Sequence, residues 1–140
     1  MVQLLIVIAA IPFLLFGAGH GALTLRDVKH PRAFTPTDPA LREAMQQSTL
    51  RFHRGWNLWK AWLGFNLTHS LGLIVFGGAF LHVGIFEPQL FASSVLMQAV
   101  AVAVSAAYLL VSLQFFFSRP IIGSAIGLAC FLAAAALAHV

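Results

Sequence analysis

Four long stretches of apolar residues constrain this chain more than any other feature of its sequence. A helix that crosses a bilayer needs about 20 mainly apolar residues, because the hydrocarbon core is about 30 Å thick and a helix rises about 1.5 Å per residue. Stretches of this length occupy residues 3–25, 56–85, 89–117 and 121–140. Since lipid cannot satisfy free backbone groups, we expect each stretch to form a helix.

The composition agrees with a membrane protein. Of the 140 residues, 60% are hydrophobic and 9% are charged, whereas soluble domains have about 25% charged residues. This composition excludes a disordered chain, a nucleic-acid binder and an ordinary cytosolic enzyme. The single Cys130 has no partner for an internal disulfide. The sequence therefore predicts an all-α fold, an integral membrane four-helix bundle that forms a single membrane domain over residues 1–140.

The distribution of positive charge predicts the orientation in the membrane. Seven of the eight Lys and Arg residues lie within or beside the loop between the first two stretches, namely Arg26, Lys29, Arg32, Arg42, Arg51, Arg54 and Lys60. The eighth, Arg119, lies in the turn before the fourth stretch. Because loops rich in Lys and Arg stay inside, we expect loop 26–55 in the cytoplasm and both termini outside. Positive charge follows the first stretch, which favours a retained anchor over a cleaved signal peptide.

The cytoplasmic loop contains one predicted helix. Residues 26–37 form an irregular linker, after which Asp38 is a suitable N-cap and Pro39 a suitable first helical residue. A stripe at spacings of four, three and four follows, formed by Leu41, Met45, Ser48 and Phe52. This spacing predicts a short amphipathic cytoplasmic helix between spans 1 and 2. Its apolar side either lies on the lipid headgroups or packs against the ends of the bundle.

Polar residues inside the second stretch form the candidate site. Asn66, His69 and Ser70 share one helical face, and Trp59 and Trp62 extend that face toward the cytoplasm. A polar side chain at this depth must face other helices, because facing lipid is costly. Two residues on other stretches are expected to contribute, His20 within a run of small residues and Tyr108 on the third stretch. His20 is expected nearer the level of Trp62 and Asn66 than of His69. The candidate ligand-binding residues are therefore Trp59, Trp62, Asn66, His69, Ser70, His20 and Tyr108.

Several functions are compatible with this site. The first is binding of a lipid or other small apolar ligand, or an accessory role beside another membrane protein. The second is a redox subunit that handles quinone or haem, although His20 and His69 are expected at different depths. The third is a small proton-linked transporter, for which an embedded carboxylate is missing, since all four acidic residues are placed in loops or at interfaces. Finally, the cluster is explained equally well as a hydrogen-bonded connection between helices.

No catalytic or metal-binding pattern is present in the sequence. Ser70 follows His69 directly and therefore lies about 100° away on the helix, with no carboxylate to orient the imidazole. The sequence consequently does not favour an enzyme. The small residues Gly123 and Gly127 predict close helix packing, internal rather than between two copies in a homodimer.

One segment resembles a known group of proteins. Residues Phe34-Thr-Pro-Thr-Asp-Pro-Ala-Leu, continuing to Trp62-Leu-Gly-Phe-Asn-Leu-Thr-His-Ser-Leu-Gly, are similar to an uncharacterised family of small bacterial inner-membrane proteins with four spans. The resemblance covers residues 34–78. It implies a bacterial inner-membrane location and a four-span topology, and it suggests that the cytoplasmic helix and the Asn66–His69 face act together.

The predicted orientation can be tested with reporter fusions. A periplasm-active reporter fused after Val140 should be active, and the same reporter inserted in loop 26–55 should be silent, because the basic loop is retained inside. Activity of a cytoplasm-dependent reporter at the C-terminal fusion would contradict this topology.

Overall fold

The computed structural model describes residues 1–139, and Val140, the last residue of the predicted fourth stretch, lies outside the described residues. Within residues 1–139 the chain forms six helices and one two-stranded hairpin. The elements are α1 (Val2–Lys29), α2 (Pro39–Gln47), β1 (Thr49–Leu50), β2 (His53–Asn57), α3 (Leu58–Phe86), α4 (Pro88–Ser93), α5 (Val95–Phe115) and α6 (Ser118–Leu137).

Four of the helices in the described chain, α1, α3, α5 and α6, are long and apolar enough to cross a membrane. In the apolar window of each helix, only 22% to 33% of the residues are buried inside the chain. Most of the apolar surface therefore faces outward, which a soluble protein rarely tolerates over such an area. The prediction of four long apolar helices is confirmed.

The ends of all four predicted stretches differ from the structure, and α1 continues through residues 26–29, which were predicted to belong to the irregular linker. The third stretch is broken at Ser94, whose backbone is extended (φ −108°, ψ 102°) and whose hydroxyl accepts a hydrogen bond from the Met97 N–H at 3.2 Å. This N-cap starts α5 and leaves residues 88–93 as the separate short helix α4. The predicted turn over residues 118–120 is instead the beginning of α6, since a proline is tolerated in the first turn of a helix.

The loop between α1 and α3 contains a hairpin that was not predicted. Helix α2 begins where expected, with Asp38 Oδ1 accepting a hydrogen bond from the Ala40 N–H at 2.9 Å. It ends at Gln47, however, because Ser48 is extended and its carbonyl accepts from the Leu58 N–H at 2.9 Å. Phe52 therefore lies in the turn between β1 and β2, and the helical stripe through Ser48 and Phe52 is wrong. The prediction of an all-α fold is corrected as well, because β1 and β2 form a two-stranded hairpin.

The contacts divide the chain into two compact units, which are described separately. The first comprises Met1–Phe16 and Leu73–Val140, and the second comprises Gly17–Gly72. The prediction of a single membrane domain stays a prediction.

The core of the first unit is built from aromatic rings and small residues. Phe80 lies between Phe76 and Phe131, with ring centroids 5.0 and 4.9 Å away. Aromatic pairs at this separation add about 0.5–1.5 kcal/mol beyond the burial of their area. Gly127 faces Phe13 in the same core, which confirms that these small residues pack internally.

Gln98 connects three parts of the first unit. Its Nε2 donates to the carbonyls of Phe91 at 3.0 Å and Ala92 at 3.1 Å, at the end of α4. Its Oε1 therefore accepts from His139 Nε2 at 3.0 Å. One buried carboxamide thus joins α4, α5 and the segment after α6.

The contact between α1 and α3 in the first unit depends on Gly77. A Cβ atom there would lie 2.9 Å from the Leu14 backbone nitrogen and 3.1 Å from the Ala10 carbonyl oxygen. No rotamer change relieves a clash with backbone, so we expect Gly77→Ala to lower the free energy of unfolding by about 1–3 kcal/mol. Unfolding of the detergent-solubilised chain by sodium dodecyl sulfate measures this.

The matched control is Gly78→Ala on the same helix. A Cβ atom there would meet only Leu14 Cδ2, at 3.9 Å, an ordinary contact. Equal destabilisation by the two substitutions would show that the close approach at Gly77 is not what limits the helix contact.

Candidate functional site

The second unit brings together most of the predicted polar residues. His20 on α1 and Asn66 on α3 are 46 residues apart in sequence, and His20 Nε2 lies 2.8 Å from Asn66 Oδ1. The Asn66 side chain is 5% exposed, so this hydrogen bond is made largely away from solvent. It agrees with the prediction that His20 lies near the level of Asn66.

The neighbouring contacts determine which atom donates in this pair. Asn66 Nδ2 donates to the Trp62 carbonyl at 2.8 Å. A flipped amide would place Oδ1 against that carbonyl, two acceptors in contact, so Oδ1 must face His20. Because Oδ1 is only an acceptor, His20 Nε2 carries the proton and donates. In the neutral imidazole, Nδ1 is then an acceptor.

His69 lies near His20. The centroids of the two imidazoles are 5.4 Å apart, and the ring planes meet at 72°. This separation is compatible with the predicted difference in depth between the two rings, which stays a prediction. An edge-to-face pair with one Nε2 already bonded to Asn66 does not provide the two opposed imidazoles that bis-histidine haem requires.

Two hydroxyl groups near these side chains bond to backbone of their own helix. Ser70 Oγ donates to the Asn66 carbonyl at 2.9 Å, and Thr24 Oγ1 donates to the His20 carbonyl at 2.8 Å. A Cβ atom added to Gly21 would lie 3.3 Å from Ser70 Cβ, so the glycine permits the close approach of α1 and α3. Both hydroxyls are therefore satisfied within their own helices, and a role of Ser70 in ligand binding stays a prediction.

Phe34 covers this cluster from the linker. Its ring centroid lies 4.2 Å from that of His20. Its carbonyl accepts a hydrogen bond from Trp62 Nε1 at 2.8 Å, and its N–H donates to Asp27 Oδ2 at 2.7 Å. The linker that was predicted to be irregular is therefore held against α3. We call His20, Phe34, Trp62, Asn66 and His69 the His20 cluster.

Asp27 fixes the position of this linker. The residue is fully buried, and its Oδ1 accepts from the N–H groups of Arg32 and Ala33 at 3.0 and 2.9 Å. Its Oδ2 accepts from the Phe34 N–H and, at 3.2 Å, from Thr35 Oγ1. The sequence placed all four acidic residues in loops or at interfaces and did not predict that Asp27, in the last turn of α1, is buried.

The position of Asp27 in α1 explains why it needs these donors. A carboxylate in the last turn of a helix faces the negative end of the helix dipole, so Asp27 is unfavourable there unless other groups compensate it. The four donors of the linker provide that compensation. They also occupy both carboxylate oxygens, which suits a residue that holds the linker better than one that carries a proton.

The three aromatic candidates have different surroundings. Trp59 is 8% exposed, whereas Trp62 is 39% exposed and bonded to the linker. Tyr108 belongs to the first unit, where its ring lies 5.7 Å from Phe13 and 6.4 Å from Phe76. Its contribution to the candidate site stays a prediction.

The His20 cluster combines directional polar groups with aromatic faces, which is the composition of a site for an apolar molecule with one polar end. Among residues 1–139, no three His, Cys, Asp or Glu side chains converge as a metal ion requires. No protein-family model, curated protein or solved structure matches the chain.

The role of Asp27 can be tested by proteolysis of the linker. Asp27→Ala leaves three backbone N–H groups without their acceptor, at a cost of about 1–3 kcal/mol each where they stay buried. We expect trypsin to cut the Arg32–Ala33 bond at least about tenfold faster, and Asp27→Asn to give a smaller increase because one oxygen remains.

The matched control is Asp38→Asn, since asparagine caps a helix as well as aspartate does. Cleavage after Arg54 in the same sample provides an internal reference. Unchanged cleavage at Arg32 in Asp27→Ala would show that the carboxylate does not hold the linker.

Proposed function

We propose that this chain is a multi-pass integral membrane protein that binds a lipid or other small apolar molecule at the His20 cluster. The polar end of the ligand contacts the imidazoles, and its apolar part lies along the neighbouring helix surfaces. The observation that carries the proposal is the His20–Asn66 hydrogen bond, which places an oriented imidazole between apolar helices and beneath Phe34.

The bonding of His20 narrows the chemistry of the ligand. With Nε2 donating to Asn66, the remaining nitrogen of the neutral ring accepts a hydrogen bond. A ligand with a hydroxyl or amide donor therefore suits His20 better than one with carbonyl oxygens alone. This favours a hydroxyl-bearing lipid or a quinol over an oxidised quinone.

The proposed location is a bacterial inner membrane, with both termini outside and loop 26–55 in the cytoplasm. The cluster of Lys and Arg in that loop supports the orientation. The resemblance of residues 34–78 to small bacterial membrane proteins supports the compartment. In this orientation, the linker and Phe34 cover the site from the cytoplasmic side.

Co-purified molecules test the proposal most directly. The full chain is purified in mild detergent, and its lipophilic contents are extracted and identified by mass spectrometry, with a visible spectrum to detect haem. We expect one molecular species to be enriched over the bulk membrane extract. Its retention should fall about tenfold in His20→Phe and in Asn66→Leu, as expected for the loss of one directional polar contact in an apolar site.

Thr68→Val is the matched control. Thr68 lies on the same helix, is exposed, and donates to the Phe65 carbonyl of its own helix at 2.9 Å. It should retain the ligand as the native chain does. Circular dichroism and thermal stability separate loss of ligand from loss of fold. A native preparation without any enriched molecule would assign the His20 cluster to helix packing alone.

A further inference from the structure

The hairpin between α2 and α3 presents an unusual set of side chains. All six residues from Arg51 to Trp56 are exposed, and the Phe52 side chain at the turn is 86% exposed. Residues 48–58 contain two arginines and no acidic residue. The hairpin therefore combines two exposed aromatic side chains, Phe52 and Trp56, with two arginines, and this combination makes it a candidate contact surface.

The two sides of β2 differ. Successive side chains of a strand point to opposite faces, so Arg54 and Trp56 share one face and His53 lies on the other. The His53 ring folds back over its own strand, with Nδ1 accepting from the Gly55 N–H at 3.2 Å. Trp56 is 53% exposed. The Arg54–Trp56 face, together with Phe52 at the turn, is therefore open.

We propose that this hairpin docks on anionic lipid headgroups at the membrane surface where α3 enters. The inference rests on the membrane location proposed above, but not on the ligand of the His20 cluster. Trp56 is two residues before the first residue of α3, so the chain itself holds the hairpin beside the bilayer. Arginine supplies the charge complementarity to the phosphate groups.

The aromatic residues distinguish a lipid surface from other anionic partners. Indole rings are favoured at the headgroup level, and a phenylalanine flanked by arginines can enter the acyl boundary while the charges remain at the phosphates. A single-stranded nucleic acid could also stack on such rings, but the hairpin is joined directly to α3, which holds it at the headgroups rather than in free solution. The hairpin therefore serves as an interfacial anchor for the start of α3.

Hydrogen exchange on the full chain tests the docking. The chain is placed in nanodiscs of phosphatidylcholine, and in nanodiscs of phosphatidylcholine mixed with an equal amount of phosphatidylglycerol. We expect amides of residues 49–57 to exchange about fivefold more slowly, or slower still, in the anionic discs, consistent with the attraction of each basic residue to an anionic surface. High salt should remove the difference because it screens the charges.

Substitutions in the hairpin distinguish an effect of its charge on hydrogen exchange from a loss of its fold. The double variant Arg51→Gln with Arg54→Gln should lose the difference between the two discs, and Arg51→Lys with Arg54→Lys should keep it. Phe52→Ser should reduce it, and Arg119→Gln, which lies outside the hairpin in sequence, should leave it unchanged. An equal exchange rate in both discs, or a difference that persists in the glutamine variant, would overturn the proposal.

The membrane location is checked in the same experiment. If amides of α1, α3, α5 and α6 are protected in both discs while the hairpin does not respond to lipid charge, the membrane location stands and the hairpin proposal fails. If the chain does not enter discs at all, both fail. Stronger protection by an added oligonucleotide than by anionic lipid would also overturn the docking proposed here.

Discussion

The second unit depends on the side chain of Asn66. A polar side chain between apolar helices must find partners within the protein, since lipid offers none. The Asn66 side chain donates through Nδ2 to the Trp62 carbonyl and accepts through Oδ1 from His20. This single carboxamide joins α3 to α1 and determines the protonation pattern of the imidazole. His69 lies near His20 in the same cluster, and Phe34 is held over His20 by its bonds to Asp27 and Trp62.

The first unit contains the same type of interaction, in which a carboxamide bonds to backbone carbonyls and to a histidine. Gln98 donates to two carbonyls at the end of α4 and accepts from His139. In both units, a carboxamide whose NH2 group is committed to backbone carbonyls presents its oxygen to a histidine. The two pairs connect separate elements of an otherwise apolar chain through hydrogen bonds between a carboxamide and an imidazole.

The sequence allowed the long helices to be predicted, because hydropathy over about 20 residues is a local property. It also located the cap at Asp38 and the level of His20 relative to Asn66. It failed for the hairpin, for the break at Ser94 and for Asp27. The hairpin and the burial of Asp27 depend on hydrogen bonds beyond the local periodicity, such as those between Asp27 and the linker or between Ser48 and Leu58. The break at Ser94 is a local N-cap that the uniform hydropathy of the stretch concealed. The charge of Asp27 indicated a loop, but four hydrogen-bond donors of the linker compensate the carboxylate and allow it to be buried.

The two backbone hydrogen bonds of Phe34 determine how the linker can open. Phe34 uses both of its backbone groups, the N–H toward Asp27 and the carbonyl toward Trp62. Moving its backbone away from His20 therefore breaks two hydrogen bonds that are anchored on different helices. Such a segment opens cooperatively, as a local unfolding event, rather than by gradual bending. Backbone opening on the linker side is thus an all-or-none event whose frequency is determined by α1 and α3 together.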